Sequence, residues 1–571
     1  VHRRALLTGS AALAATGALA PATARADSAA SRGPAPATPR SPGPVVRTTA
    51  GRIRGTGEAG ISVFRGVPYA RPPVGRLRFA PPAPPLPWTG VRETAEFSRP
   101  FLSPGARDGS EDALYANVWS PDTAGRSPVL VYIHGGAWLY NSATNPTYDG
   151  AALARRGDLV VVTFNYRLGC FGFGLHEGFG DHGGAGSGGD AGSGGDAWSG
   201  GDAGSGGATA NWGLQDQAAL LRWVYDNARA FGGDPDNITL CGTSAGGSSV
   251  WQLALRESTR KLIRRIVPVS AAHIWAPLGA LTPQDARTSY AAVAEELGTT
   301  VPGLRRRPAL EVMDTWEGRF AAAPGSRAVA SGRYFRGPVV DGRWMTGYDH
   351  ALPTPGLPTM VVNTRTEGSF YTDQTAPAPR TGAELRRMTR DYLLLGAEEV
   401  PGPLLDGVLD AYLAAARAEG LPQDPFSLYT EIYGDGLFRY QILRLAARRA
   451  RESRAPQYHM DFAHPVLPPG HGTPHEATSP FLFGTQGIPQ NAPVFGDGPL
   501  ERRVSAAFID LVASFAHTGV PRSAHAPEWP LFSPRAPRSL VLGGEQVARI
   551  GATPKLRQLD FWDRAGWVPR P

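Results

Sequence analysis

Apolar residues in this chain gather into short unbroken runs. Residues 129–133 (VLVYI) and 159–164 (LVVVTF) are continuous, the pattern of strands buried on both faces of a parallel sheet. Residues 237–240 (NITL) are a shorter β-prone run, followed by 248–255 (SSVWQLAL), which continues as a helix. Residues 359–363 (TMVVN) read as another strand that runs into a turn. Two stretches lack any such pattern. Residues 27–44 are rich in Pro and Ala and have no core-forming side chains, the signature of a disordered linker. Residues 178–207 are nearly all Gly, Ser, Ala and Asp, with GSGGDA recurring, and are expected as a flexible surface insertion. A calcium-binding β-helix would need a nine-residue repeat with an apolar residue in each unit, which this period of six lacks. No internal linker divides residues 45–571, so one large domain is expected there.

The segment Cys241-Gly242-Thr243-Ser244-Ala245-Gly246-Gly247 lies between the NITL run and the following helix. A Gly-x-Ser-x-Gly sequence in a strand–turn–helix context lifts the serine hydroxyl clear of the sheet, and its glycines allow a tight backbone approach. The helix start adds free N–H groups and the positive end of its dipole. This is the nucleophile elbow of an α/β-hydrolase, with Ser244 as the candidate nucleophile. After residues 129–133 comes His134-Gly135-Gly136-Ala137. Glycines there let backbone N–H groups face a cavity, as an oxyanion hole requires.

The chain has 571 residues, 42% of them hydrophobic and 19% charged, which is enough for a large buried core. Its formal net charge is +7, but the basic residues are scattered arginines with no nucleic-acid-binding motif beside them, so nucleic acid is not expected as a partner. Arg3-Arg4, a weakly apolar run to Ala20 and then Ala24-Arg25-Ala26 predict a twin-arginine export signal over residues 1–26, cleaved after Ala26. The mature protein is then secreted or periplasmic. No later stretch reaches 18 apolar residues, so no stable membrane anchor is expected. Cys170 and Cys241, the only cysteines, both read as small buried hydrophobes rather than as a disulfide.

Several motifs in fixed order resemble the type-B carboxylesterase family, which includes the cholinesterases. They are FRGVPYARPPVGRLRF at 64–79, EDALYANV at 111–118, HGGAW at 134–138, NYRLG at 165–169, GLQDQ at 213–217, FGGDP at 231–235, the elbow, FAHTGVP at 515–521 and WPLF at 529–532. The resemblance runs from about Val45 to the C-terminus. It implies the α/β-hydrolase fold: a mostly parallel central sheet flanked by helices, with large loop and helix insertions. It also implies that the oxyanion donors are the N–H groups of Gly136, Ala137 and Ala245.

A serine is unreactive without a base and an acid that orients the base. In this fold the chain order is serine, acid, histidine. Glu367 stands at the exit of the 359–363 strand in the TEGSF segment, which resembles the family's acid motif. Asp341 is the competing carboxylate, and it matches a family segment whose Asp is not the acid. His471 and His475 share one loop, and composition does not choose between them. The family's spacing to a Pro-aromatic-x-Phe-Gly run, here Pro480-Phe481-Leu482-Phe483-Gly484, implies His475. Ser270 aligns with a serine that hydrogen-bonds within the family's triad, and it reads equally as a buried strand-end hydroxyl. Three positions depart from the family: Thr243 before the nucleophile and Thr478 three residues after His475, where Glu is usual, and Ala113 in place of a disulfide cysteine.

The implied activity is hydrolysis of small-molecule carboxylic esters through an acyl-enzyme intermediate. The sequence carries no metal-ligand cluster or phosphate loop, so no cofactor or metal is expected. An interfacial lipase acting on longer chains, amide or carbamate hydrolysis, and a non-catalytic cholinesterase-like binding protein are the rival readings. Trp138, Trp275, Trp316, Trp344 and Phe370 are the candidate pocket aromatics. The sequence does not specify the oligomeric state.

Overall fold

The computed structural model describes residues 40–180, 210–271, 282–320, 337–372, 378–393 and 400–565. The expected export signal, most of the linker, most of the Gly/Ser/Asp insertion and Trp275 lie outside the described residues.

Thirteen strands among the described residues form one sheet. In chain order they are β1 (Ser41–Arg47), β2 (Arg52–Glu58), β3 (Ile61–Pro68), β4 (Val91–Glu93), β5 (Tyr115–Ser120), β6 (Ser127–Ile133) and β7 (Val160–Phe164). Then follow β8 (Gly233–Thr243), β9 (Arg265–Val269), β10 (Thr359–Thr364), β11 (Gln457–Phe462), β12 (Arg538–Leu542) and β13 (Ala548–Ala552). Across the sheet the order is β1-β2-β3-β5-β7-β6-β8-β9-β10-β11-β12-β13, with β4 beside β2. From β7 through β12 every pairing is parallel. The outer pairings β1-β2, β2-β3, β3-β5, β5-β7 and β12-β13 are antiparallel.

The unbroken apolar runs supply both faces of this sheet. Side chains alternate with a period of two. Val129, Val131 and Ile133 of β6 therefore join one core cluster, with Leu220, Val224 and Trp251 from the helices Trp212–Asn227 and Ala245–Leu255. Leu130 and Tyr132 join the opposite cluster, with Phe508, Leu511 and Phe515 of the helix Pro499–Thr518. Each such buried side chain contributes about 1.5–3 kcal/mol of transfer free energy, so replacing one with a polar group that finds no partner is costly on either face.

The motifs that lie apart in the sequence are partners in space. Arg78 pairs bidentately with Glu111, at 2.7 Å and 2.6 Å. Arg167 does the same with Asp216, at 2.8 Å and 2.6 Å, and both side chains are almost wholly buried. The Tyr69 hydroxyl donates to the Asn165 carbonyl (2.7 Å), and Gly66 N–H donates to Asn117 Oδ1 (3.1 Å). Burial pushes the Asp216 carboxyl up, while Arg167 pulls it down. A fixed fork of charged hydrogen bonds sets the angle between the loops that carry these motifs.

Two boundaries differ from the sequence reading. β1 starts at Ser41, inside the stretch expected as linker, and pairs Ser41 with Gly57 and Pro42 with Thr56. It is an edge strand, where a proline and a register shift are tolerated. The expected insertion starts later than residue 178. Phe179 is fully buried, stacked on Phe79 at 4.3 Å, and the turn Glu177–Phe179 is capped by His176, which accepts from Gly178 N–H. Cys170 and Cys241 are buried and unpaired.

Candidate active site

β8 ends at Thr243 and the helix begins at Ala245, which leaves Ser244 alone at the corner with φ 58° and ψ −124°. A non-glycine residue held there costs about 1–3 kcal/mol of backbone strain. The surroundings impose it: Ser244 N–H donates to the Val269 carbonyl (2.9 Å), and the Ser244 carbonyl accepts from Ser248 N–H (3.0 Å). The flanking glycine is required by close approach. A Cβ on Gly246 would lie 2.1 Å from the Ile133 carbonyl oxygen, well inside van der Waals contact.

The His134-Gly135-Gly136-Ala137 loop rests against this corner, since a Cβ on Gly135 would lie 3.0 Å from the Ser244 Cβ. Gly136 has φ 113°, and Ala137 and Trp138 have φ 55° and 58°. The Gly136 carbonyl turns away to accept from Leu139 and Tyr140 N–H, both at 2.9 Å. The N–H groups of Gly136, Ala137 and Ala245 donate to no other group among the described residues. His134 fixes the loop from behind: it stacks on Tyr166 at 4.5 Å and its Nδ1 donates to the Gly135 carbonyl (2.8 Å). Burial lowers its pKa to about 4, so the ring is neutral at physiological pH.

Glu367 sits in the turn after β10 and His475 in the loop after β11, both almost wholly buried. Glu367 Oε2 accepts from His475 Nδ1 at 2.5 Å. Oε1 accepts from the Ser270 hydroxyl and from Thr364 N–H, both at 2.8 Å. Ser270 follows β9 with φ 42°, and its N–H donates to the Val362 carbonyl (2.7 Å). With its proton committed to a carboxylate, Nδ1 leaves Nε2 as the basic nitrogen. His475 Nε2 is buried and has no hydrogen-bond partner among the described residues.

The other candidates fall elsewhere. His471 packs against Phe426 at 4.7 Å rather than against Glu367. Asp341 Oδ1 caps the N–H groups of Arg343, Trp344 and Met345, a turn-closing role. Trp138 and Trp316 are core residues, Trp344 lies under Arg256, and Phe370 has its ring 6.4 Å from that of His475.

Two features were not anticipated from the sequence. A π-helical turn, Asp435–Arg439, brings the Phe438 ring to 4.1 Å from the His475 ring; π-turns recur at functional sites. The sequence gives only a weak signal, the helix-breaking Gly434 and Gly436. Thr243 and Ser479 meet the Tyr132 hydroxyl at 3.0 Å each. That places a neutral hydroxyl cluster where the resemblance leads one to expect a carboxylate at Thr243. Glu476, next to His475, has its carboxyl pushed up by burial, against the pull of His475 and with the push of Glu367.

Among the described residues no helix is long and apolar enough to cross a membrane, and no three His, Cys, Asp or Glu side chains gather to hold a metal ion. The model of the carboxylesterase family matches residues 42–184 and 201–562, so the break falls inside the Gly/Ser/Asp-rich stretch. The para-nitrobenzyl esterase of Bacillus subtilis is 31% identical over 88% of this chain and 95% of its own length. The phenmedipham hydrolase of Pseudarthrobacter oxydans is 31% identical over 90% of this chain and 98% of its own length. A carboxylesterase structure from Geobacillus stearothermophilus superposes with a TM-score of 0.72 at 31% identity, covering 91% of this chain and 99% of that one.

Proposed function

The chain belongs to the carboxylesterase family, has the α/β-hydrolase fold and hydrolyses carboxylic ester bonds; we propose that Ser244 is its nucleophile, His475 its general base and Glu367 the acid that orients the base. The observation that carries this reading is the bond from His475 Nδ1 to Glu367, which leaves the buried Nε2 as the basic nitrogen, without a partner among the described residues. Nε2 takes the Ser244 proton as Oγ attacks the ester carbonyl carbon. The developing oxyanion is held by the N–H groups of Gly136, Ala137 and Ala245, each worth about 3 kcal/mol in the transition state by the usual cost of removing such a donor. Glu367 stays ionised and stabilises the imidazolium. The imidazolium returns its proton to the departing alkoxide oxygen as the C–O bond breaks. Water, deprotonated by Nε2, then attacks the acyl-enzyme. The acid leaves and Ser244 regains its proton.

The name of the para-nitrobenzyl esterase supports small benzyl-type esters as substrates. The test is hydrolysis of a p-nitrophenyl ester series from acetate to palmitate by the wild type and Ser244→Ala. The expected result is turnover favouring short acyl chains that falls by about 10⁴-fold or more in the variant. A maximum at palmitate would replace this reading with a lipase. Ser244-independent turnover would remove Ser244 from the mechanism.

Export through the twin-arginine motif at Arg3-Arg4 is part of the same proposal. The expected result is protein outside the cytoplasm whose N-terminus is Asp27. A cytoplasmic, uncleaved product would overturn it.

A further inference from the structure

A cavity of about 750 Å³ opens at the far end of the helix Ala245–Leu255, lined by Arg256, Arg260, Lys261, Arg343 and Trp344 together with Leu352 and Pro353. It shares no residue with the catalytic site, and the eleven-residue helix between them spans about 16 Å at 1.5 Å per residue.

Four cations line this cavity against one lining carboxylate, Glu257. The nearby Glu452 is already engaged, accepting from Thr354 and paired with Arg448 at 2.5 Å. Asp349 accepts from Gln252. Arg260 and Lys261 are exposed and form no ion pair among the described residues. Arg256 is held in place before any ligand arrives. Its Nε donates to Ser258 Oγ (3.2 Å), its Nη1 donates to the Arg343 carbonyl (2.9 Å), and its guanidinium lies 3.9 Å from the Trp344 ring centroid. Holding a guanidinium before binding removes part of the ordering cost of recognition, and its planar fork matches phosphate and carboxylate oxygens. Leu352, Pro353 and Pro355 add apolar surface to the lining.

We propose that this cavity binds a small organic dianion, a phosphate monoester or a dicarboxylate carried on an apolar body. The charged end meets Arg256, Arg260 and Lys261, and the body lies against the Leu/Pro surface.

The test is isothermal titration of the full chain at pH 8 with phenyl phosphate and, separately, with phthalate. At least one of them binds at a single saturable site. The Arg260→Gln/Lys261→Gln variant weakens that binding at least tenfold, and Ser244→Ala leaves it unchanged. Hydrolysis of p-nitrophenyl acetate is not competitively inhibited at saturation. The tighter of the two probes identifies the phosphate or the dicarboxylate as the source. Because Arg260 and Lys261 are exposed, the double variant folds, which its thermal melt verifies. No saturable binding of either probe, undiminished binding in the double variant, or competitive inhibition of hydrolysis would each overturn the proposal. These outcomes are independent of whether Ser244 is the nucleophile.

Discussion

Ser270→Ala isolates the contribution of one hydrogen bond to the site. Glu367 accepts three bonds, from Ser270 Oγ and Thr364 N–H at Oε1 and from His475 Nδ1 at Oε2. The substitution removes one and leaves the other two. A bond to a charged, buried acceptor contributes about 1.5–3 kcal/mol, which corresponds to about 10- to 150-fold in rate if the whole of it were felt in the transition state. Because the carboxylate is ionised in both ground and transition states, only the part that holds it on the imidazole is felt. The expected fall in kcat is therefore near the lower end, about tenfold, with KM unchanged. Backbone strain does not confound the comparison, since alanine and serine meet the same penalty at φ 42°. Steady-state kinetics on p-nitrophenyl acetate, beside a thermal melt, give the answer. A kcat within twofold of wild type would show that Ser270 does not position the acid. A loss as deep as that of Ser244→Ala would show that the site had collapsed.

Gly246→Ala drives a Cβ to 2.1 Å from the Ile133 oxygen and is expected to cost about 3 kcal/mol or more, read as a lower urea midpoint with activity lost. Asp216→Asn leaves the buried Arg167 guanidinium with an uncharged partner, and a loss of about 3–5 kcal/mol in denaturant unfolding is expected. His459 is wholly buried, with Nε2 at 2.6 Å from Asn363 Oδ1 and Nδ1 at 2.6 Å from Ser539 Oγ, and its pKa is lowered to about 4 by burial. Its folded pKa lies below the unfolded value, so its contribution is complete above about pH 6.5 and is lost as pH falls toward 4. The size is on the order of 3 kcal/mol. Unfolding free energies across that window should decline less steeply in His459→Gln than in wild type.

The apolar runs were legible because a strand buried on both faces leaves an unbroken signature, and β6 and β7 follow it. The elbow was legible because Gly242 and Gly246 are demanded by local geometry. β1 was not, because an edge strand needs paired backbone groups and not apolar side chains, so Pro42 and Gly43 read as linker. The contact of Phe438 with His475 depends on a helix winding by one residue more than usual, which no hydrophobic period records. Likewise, nothing in the order of residues marks His459 as buried between Asn363 and Ser539.

Ser244 and Ser270 follow β8 and β9 directly, Glu367 sits in the turn three residues after β10, and His475 hangs from the loop after β11, four neighbouring strands in one parallel ladder. The chain leaves that ladder after Val269 and returns at Thr359, then leaves after Thr364 and returns at Gln457. The relative placement of Ser244, Ser270 and Glu367 is thus inherited from strand register, while His475 is held by its bond to Glu367 and its contact with Phe438. Away from Phe438, the excursions can lengthen, shorten or change sequence while the strand ends keep their spacing. Insertions between the strands are therefore absorbed by the outer layer of this architecture, while the spacing of the strand ends is protected by the ladder itself.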